Sequence, residues 1–235
     1  MDIAANLSQV RQRISAACAR SGREPSSVEL LTVSKGHPAE VVCAAAQLGL
    51  SVFGENRVQE AKAKIGLCPG RLRWHLIGHL QSNKCRDAVS FFEMIQSVDS
   101  LSLAREINKW AETSAKTMPV LIEVNVAGEA SKFGYAPEKV LAELAQINTL
   151  PKIEVHGLMT VAPFAQDAEK VRPVFRRLRE LKRQCEDLLG APLPHLSMGM
   201  SGDFEVAVEE GATMIRLGSA VLGPRAASKP AAADL

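Results

Sequence analysis

Val28-Glu29-Leu30-Leu31-Thr32-Val33-Ser34-Lys35 reads as a strand that ends on a lysine and runs at once into the turn Gly36-His37-Pro38. In a (β/α) barrel, the C-terminal end of a strand is where a side chain meets a ligand rather than bulk water. Further strand-like runs follow at 51–56, 73–78, 93–99, 119–126, 154–161, 194–201 and 213–219. With the first they make eight, the number that closes a parallel barrel. Helix patterns at 38–48, 100–113, 137–147 and 167–189 each follow a strand, as βα units require. Several helix starts are chemically explicit: Asp99 or Ser100 for the helix after the fourth strand, Pro137 in the first turn of the next, and Ser201 or Asp203 for a short one after the seventh strand. The fold class expected is therefore α/β, a single (β/α)8 TIM barrel.

An extra amphipathic helix is expected over 3–19, ending near Ser21-Gly22 and plugging or flanking the barrel bottom. No linker divides the chain, so residues 1–225 are read as one domain. Residues 226–235 carry too little apolar bulk to dock and are read as a flexible C-terminal tail. The 235 residues are 46% hydrophobic, enough for one sizeable core, and 28 basic against 26 acidic residues leave a net charge of +2. That balance gives no global field to draw in nucleic acid or an acidic membrane. Five scattered cysteines without C-x-x-C spacing read as reduced thiols, and no apolar run is long enough to cross a bilayer. The expectation is a soluble, cytoplasmic protein.

Phosphate groups in such barrels favour the loops after strands seven and eight. Here those loops read Met198-Gly199-Met200-Ser201-Gly202-Asp203 and Arg216-Leu217-Gly218-Ser219-Ala220, each with a hydroxyl beside a glycine. Glycine permits close backbone approach, and successive N–H groups at a turn make an anion site. Taken alone, Gly202 and Gly218 read as ordinary turn residues, the serines as helix caps, and Lys35 as a solvated lysine at a strand end; their coincidence at neighbouring strand ends is what opens the ligand reading. A lysine amine is a poor nucleophile at its ordinary pKa of about 10.4. Burial in a barrel mouth, or a cation such as Arg216 nearby, lowers it toward imine formation with an aldehyde.

The stretches Thr32-Val33-Ser34-Lys35, Phe53-Gly54-Glu55-Asn56-Arg57-Val58-Gln59-Glu60, Trp74-His75-Leu76-Ile77-Gly78-His79-Leu80-Gln81-Ser82-Asn83-Lys84, Ser131-Lys132-Phe133-Gly134, His156-Gly157-Leu158-Met159-Thr160, Leu196-Ser197-Met198-Gly199-Met200-Ser201 and Arg216-Leu217-Gly218-Ser219 run in one order along the chain. Together they resemble the pyridoxal phosphate homeostasis proteins, the YggS- or PROSC-like family, from about residue 3 to 225. The resemblance implies a barrel related to the N-terminal domain of alanine racemase, with pyridoxal 5′-phosphate (PLP) held as an imine. It implies Lys35 as the imine-forming lysine and Ser201, Gly218 and Ser219 as phosphate-binding positions. It also places Arg216 opposite the pyridine nitrogen, Asn56 near the ring substituents, and His75 in support of the same mouth. A guanidinium donates only, so Arg216 should keep that nitrogen unprotonated and weaken the cofactor as an electron sink.

The function implied is intracellular PLP homeostasis, as a carrier or buffer without efficient catalysis, with apo PLP-dependent enzymes as candidate recipients. A monomer is expected. The alternative is a PLP-dependent amino-acid racemase, which needs two bases on opposite faces of the cofactor. The only tyrosine is Tyr135, in the loop before the helix at 137–147. An aldolase-type lysine enzyme would want a carboxylate nearby, for which Glu55 and Glu123 are candidates. Some family members carry a second lysine two positions after the first, where this chain has His37. Lys132 matches another family lysine and is read either as a transfer site or as a solvated loop charge. The basic run Arg172, Arg176, Arg177, Arg179, Lys182 and Arg183 is interleaved with acids and lacks aromatics, so it reads as a solvated barrel exterior and not a nucleic-acid surface. The five histidines show no metal-ligand spacing, and Gly128 to Gly134 is not a P-loop.

Overall fold

A computed structural model describes residues 2–224. Eight strands, β1 (Glu29–Val33), β2 (Val52–Glu55), β3 (Arg73–Leu76), β4 (Met94–Val98), β5 (Met118–Glu123), β6 (Ile153–Met159), β7 (His195–Ser197) and β8 (Met214–Leu217), form a closed parallel barrel in chain order. Closure is made by β8 on β1, with Glu29 opposite Met214 and Thr32 opposite Leu217. The tail expected at 226–235 lies outside the described residues.

The helices are α1 (Ile3–Arg20), α2 (Ala39–Gln47), α3 (Val58–Ile65), α4 (Cys85–Phe91), α5 (Leu101–Thr113), α6 (Pro137–Asn148), α7 (Arg172–Leu189), α8 (Phe204–Glu209) and α9 (Ser219–Leu222). Leu7, Val10, Ile14, Ala17 and Cys18 bury one face of α1 at helical spacing. That face packs along α8 and α9, and Asn6 Nδ2 donates to the Val221 carbonyl at 3.1 Å. The four-residue α9 is too short to complete the outer layer, and α1 supplies the missing length. Of the two positions expected for this helix, the flank is the one it takes.

Ser100 caps α5 by accepting from the Leu103 N–H, and Pro137 opens α6. The cap expected for α8 is different. Asp203 precedes that helix without a side-chain cap, because its carboxylate turns back to accept from the Met200 N–H at 2.6 Å. The charges of α7 are taken up within the molecule: Arg172 binds Glu169, Glu209 and Glu210, Arg177 binds Glu138, and Lys182 binds Glu186. Among the described residues, no helix is long and apolar enough to cross a membrane.

The main core lies between barrel and helices, around the fully buried Phe53, Phe92, Phe175 and Phe204. Inside the barrel, two small apolar clusters form among the described residues: Leu31, Val33, Val52 and Met214 with Ile77, and Met94, Leu121 and Met159 with Val161. Gly54 on β2 makes the first possible, since a Cβ there would stand 2.4 Å from Leu31 Cδ2 and 3.0 Å from Ile77 Cδ1. By strand alternation, the same inward rows carry His75 on β3, Gln96 on β4 and Arg216 on β8. A barrel interior lined this way is part core and part polar site.

Candidate cofactor site

β1 stops at Val33, and the chain turns over Ser34-Lys35-Gly36, with the His37 N–H donating to the Ser34 carbonyl at 3.0 Å. Gly36 has φ +73, a left-handed conformation that suits glycine, so Lys35 stands at the apex of a fixed turn. Leu31 and Val33 point into the barrel, and Lys35 follows them two residues past the strand end, in the turn at the mouth. His37, where some relatives have a second lysine, is 5% exposed.

Two loops approach Lys35 from the other side of the closure. After β7, Gly199 turns the chain with φ +94, where a Cβ would stand 2.6 Å from Ala207 Cβ. The turn delivers Ser201 to Ser219, the first residue of α9. Ser219 Oγ donates to Ser201 Oγ at 3.4 Å, and the Ala220 N–H donates to the same oxygen at 3.4 Å. These are long, weak bonds that a better acceptor displaces. Gly218 runs against β1, since a Cβ on it would stand 3.3 Å from the Val33 carbonyl oxygen. The two hydroxyls and their glycine thus lie beside the end of the lysine strand.

Beneath the mouth, Arg216 is 4% exposed. Its guanidinium donates to Ser197 Oγ at 2.8 Å and to the Thr160 carbonyl at 2.7 Å. Ser197 Oγ donates to Gln96 Oε1 at 2.7 Å, which leaves the Gln96 amide nitrogen as donor to His75 Nδ1 at 3.0 Å. The directions form one chain, Arg216 to Ser197 to Gln96 to His75, and assign His75 the tautomer with its proton on Nε2. Burial pulls the His75 pKa down to about 3, helped by the charges of Arg73 and His195, so the imidazole is neutral. Burial likewise draws Arg216 down to about 10, opposed by Glu123 and Asp203, and it stays charged at neutral pH.

Asn56 follows β2, and its Oδ1 is buried without a hydrogen-bond partner. Its backbone is pressed by Gly78, where a Cβ would stand 2.4 Å from the Asn56 carbonyl oxygen. Glu123 ends β5, with Oε2 also buried and unpartnered, and burial together with Asp99 raises its pKa to about 7 against the pull of Arg216. Lys132 reaches over the β6 end, donating to the Ala162 carbonyl at 3.1 Å and pairing with Glu129. Next to it, Phe133 stacks on His79 at 3.7 Å, and His79 Nδ1 lies 3.1 Å from Asp99 Oδ2. Among the described residues no group of three or more His, Cys, Asp or Glu side chains is placed to share a metal ion.

Sequence reasoning gave roles to Lys35, Asn56, His75, Ser201, Arg216, Gly218 and Ser219; it quoted Ser197 and Thr160 in motif stretches without a role and missed Gln96, which with Ser197 ties His75 to Arg216. A glutamine in the middle of the buried run Met94-Ile95-Gln96-Ser97-Val98 was the available signal.

A parallel barrel with a lysine after β1, an arginine buried on β8 and paired hydroxyls after β7 and β8 defines a class: residues 3–226 match the family described as alanine racemase, N-terminal domain. Within that class, the chain is 45% identical over 226 residues to the pyridoxal phosphate homeostasis protein of Aquifex aeolicus, covering 96% of this chain and 99% of the relative. The chain belongs to the pyridoxal phosphate homeostasis protein family. PipY of Synechococcus elongatus, solved without PLP, is 38% identical with a TM-score of 0.82, covering 91% of this chain and 99% of PipY. PipY with PLP bound gives a TM-score of 0.79 at the same identity, covering 91% and 100%. Alanine racemase of Clostridium difficile, 16% identical with a TM-score of 0.73, shares the fold over 94% of this chain and 56% of its own.

Proposed function

We propose that this chain binds PLP through Lys35 and serves PLP homeostasis as a carrier or buffer, not as a catalyst. The observation that carries this reading is the convergence of Lys35 with the Ser201, Gly218 and Ser219 loops above a buried, immobilised Arg216. When bound, PLP supplies an aldehyde that condenses with an amine and a ring that draws electrons from it.

The residues present fit that group. Ser201 and Ser219 bond each other only weakly and are open to a phosphate, and Gly218 leaves no side chain in its way. Asn56 Oδ1 is a buried polar atom left for a ligand, as acceptor or, with the amide turned over, as donor. Arg216, a donor at every nitrogen, would hold the ring nitrogen and keep it unprotonated. His75 stiffens Arg216 through Gln96 and Ser197. Lys35 would supply the amine for the aldehyde, and Lys132 remains a loop anchor.

The racemase alternative needs a second base. Tyr135, the only tyrosine, is 4% exposed and donates its hydroxyl to Glu143 Oε2 at 2.8 Å. Burial and Glu143 push its pKa far up, so it is no base at the mouth. The five cysteines are free thiols, which fits the reducing cytoplasm. The exposed large apolar side chains, Leu48, Leu67, Phe133, Phe164 and Leu188, come from separate elements, which fits a monomer donating to apo-enzymes.

The test is the visible absorption spectrum, with borohydride reduction and peptide mapping. Wild-type protein turns yellow and the reduced adduct maps to Lys35. Lys35→Ala keeps the fold and loses the stable absorbance; retained absorbance in that variant refutes the assignment.

A further inference from the structure

Outside the barrel, on the far side of the Lys35 backbone, lies a buried ion cluster that the reading above leaves unused. Thr32 and Ser34 alternate with the inward row and face α2 and α3. Ser34 Oγ donates to Glu55 Oε1 at 2.7 Å, in a site where both residues are fully buried. Lys64 on α3, its side chain 9% exposed, spends its ammonium on the Ser34 carbonyl at 2.8 Å, Glu55 Oε1 at 2.8 Å and Glu60 Oε1 at 2.7 Å. Glu60 Oε1 in turn accepts from the Gly36 N–H at 2.5 Å.

These contacts fall on both peptide groups that flank the Lys35 α-carbon. The Ser34 carbonyl belongs to the peptide before it, and the Gly36 N–H to the peptide after it. Fixing both planes fixes φ and ψ of Lys35, and with them the direction in which its side chain leaves the turn. We infer that Lys64 and Glu60, seated on Glu55, are positioning residues that aim the Lys35 amine into the barrel mouth.

The inference rests on Lys35 as the capturing amine and deepens that reading. The chemistry of the cluster suits the task. All three ammonium donors of Lys64 are used, so this second lysine near the mouth is withheld from aldehydes. Burial raises the Glu55 carboxyl, against the bonds from Lys64 and Ser34. Burial acts the same way on Glu60, but there Lys64 and the Gly36 N–H outweigh it and hold the carboxyl below its usual range. Orientation of a reacting amine is worth large factors in rate, and a turn anchored at both ends supplies it without touching the ligand.

The experiment follows the rate of the borohydride-trappable Lys35 adduct against pH after mixing with PLP, in wild type, Lys64→Met, Glu60→Ala and Glu60→Gln. Capture slows about tenfold or more in Lys64→Met and Glu60→Ala, the range for losing one charge-assisted hydrogen bond. The pH profile of capture shifts in both. Glu60→Gln, which keeps an acceptor for the Gly36 N–H, restores most of the rate, a rescue that a role confined to stability would not give. Equal rates and pH profiles in wild type, Lys64→Met and Glu60→Ala overturn the inference while leaving Lys35 as the site. Should Lys64→Met fail to fold, the Glu60 pair decides alone. Wild-type protein that forms no Lys35 adduct overturns the functional reading itself.

Discussion

Ser197→Ala removes one hydroxyl from the middle of the chain that runs from Arg216 to His75. The oxygen it deletes accepts from the Arg216 guanidinium at 2.8 Å and donates to Gln96 Oε1 at 2.7 Å, with Ser197 fully buried and Arg216 4% exposed. Alanine fits the space, so the loss is electrostatic rather than steric. A hydrogen bond to a charged group is worth about 1.5–3 kcal/mol, and the orphaned Gln96 oxygen adds about 1–3 kcal/mol. With partial relaxation, the expected destabilisation is about 2–4 kcal/mol, measured by urea unfolding of the cofactor-free protein. The visible spectrum of the PLP-loaded protein should shift too, because Arg216 keeps its bond to Thr160 but loses its second anchor. Gln96→Leu completes a double-mutant cycle. If the chain is one unit, the two substitutions couple by about 1 kcal/mol or more. Additive effects, or a cost for Ser197→Ala under about 1 kcal/mol, refute the relay.

The Ser201→Ala/Ser219→Ala double variant should lose PLP retention by about a hundredfold, near the cost of two hydrogen bonds to a charged phosphate, while the Lys35 adduct still forms; equilibrium dialysis measures it, and unchanged affinity places the phosphate elsewhere. Glu123 titrates near pH 7 in the folded protein against an ordinary 4.5, so the folded state keeps a proton that the unfolded chain releases in between. Stability from that group is therefore present below pH 4.5 and lost as pH rises through about 7, by about 3 kcal/mol at most. Glu123→Gln should flatten that slope, and urea midpoints taken across the window check it. No amino acid should exchange its α-proton in D2O at enzyme-like rates of about 1 s⁻¹; fast deuteration of alanine, read by NMR, overturns the carrier reading.

The strands were legible because each ends in chemistry or in a turn residue, but their lengths were not. The first strand, expected over 28–35, closes at Val33 because, after a last ladder bond from the Ser34 N–H to the Gly54 carbonyl, the chain turns at Lys35-Gly36. The seventh, expected over 194–201, closes at Ser197 because Gly199 bends the chain. Lys35, Ser201, Ser219 and Arg216 stood out as polar residues at strand ends. Gln96 did not, for a physical reason: β4 is buried on both faces, so apolar and polar residues do not alternate with inside and outside. Lys64 and Glu60 were hidden differently. A spacing of four on a helix says only that the two side chains are neighbours, and the fold reveals that the ammonium is turned under the Lys35 loop.

Holding an aldehyde without consuming it makes opposite demands on the groups around it: donors must be fixed, and bases must be missing or occupied. Arg216 is fixed by two acceptors and stays charged, so it takes no proton. His75 has a lone pair on Nδ1, but Gln96 fills it, and a pKa near 3 makes it a feeble base. Tyr135 spends its hydroxyl on Glu143. Glu123 is the instructive case, since it is a buried carboxyl on β5, across an eight-stranded barrel from β1. Below pH 7 burial and Asp99 keep its proton on, and it is an acid rather than a base. Above pH 7 the carboxylate forms in the field of the Arg216 charge, which offsets part of the cost of its burial. On the reading proposed above, the burial that fixes Arg216 under the mouth thus also keeps Glu123 from serving as a base up to about pH 7.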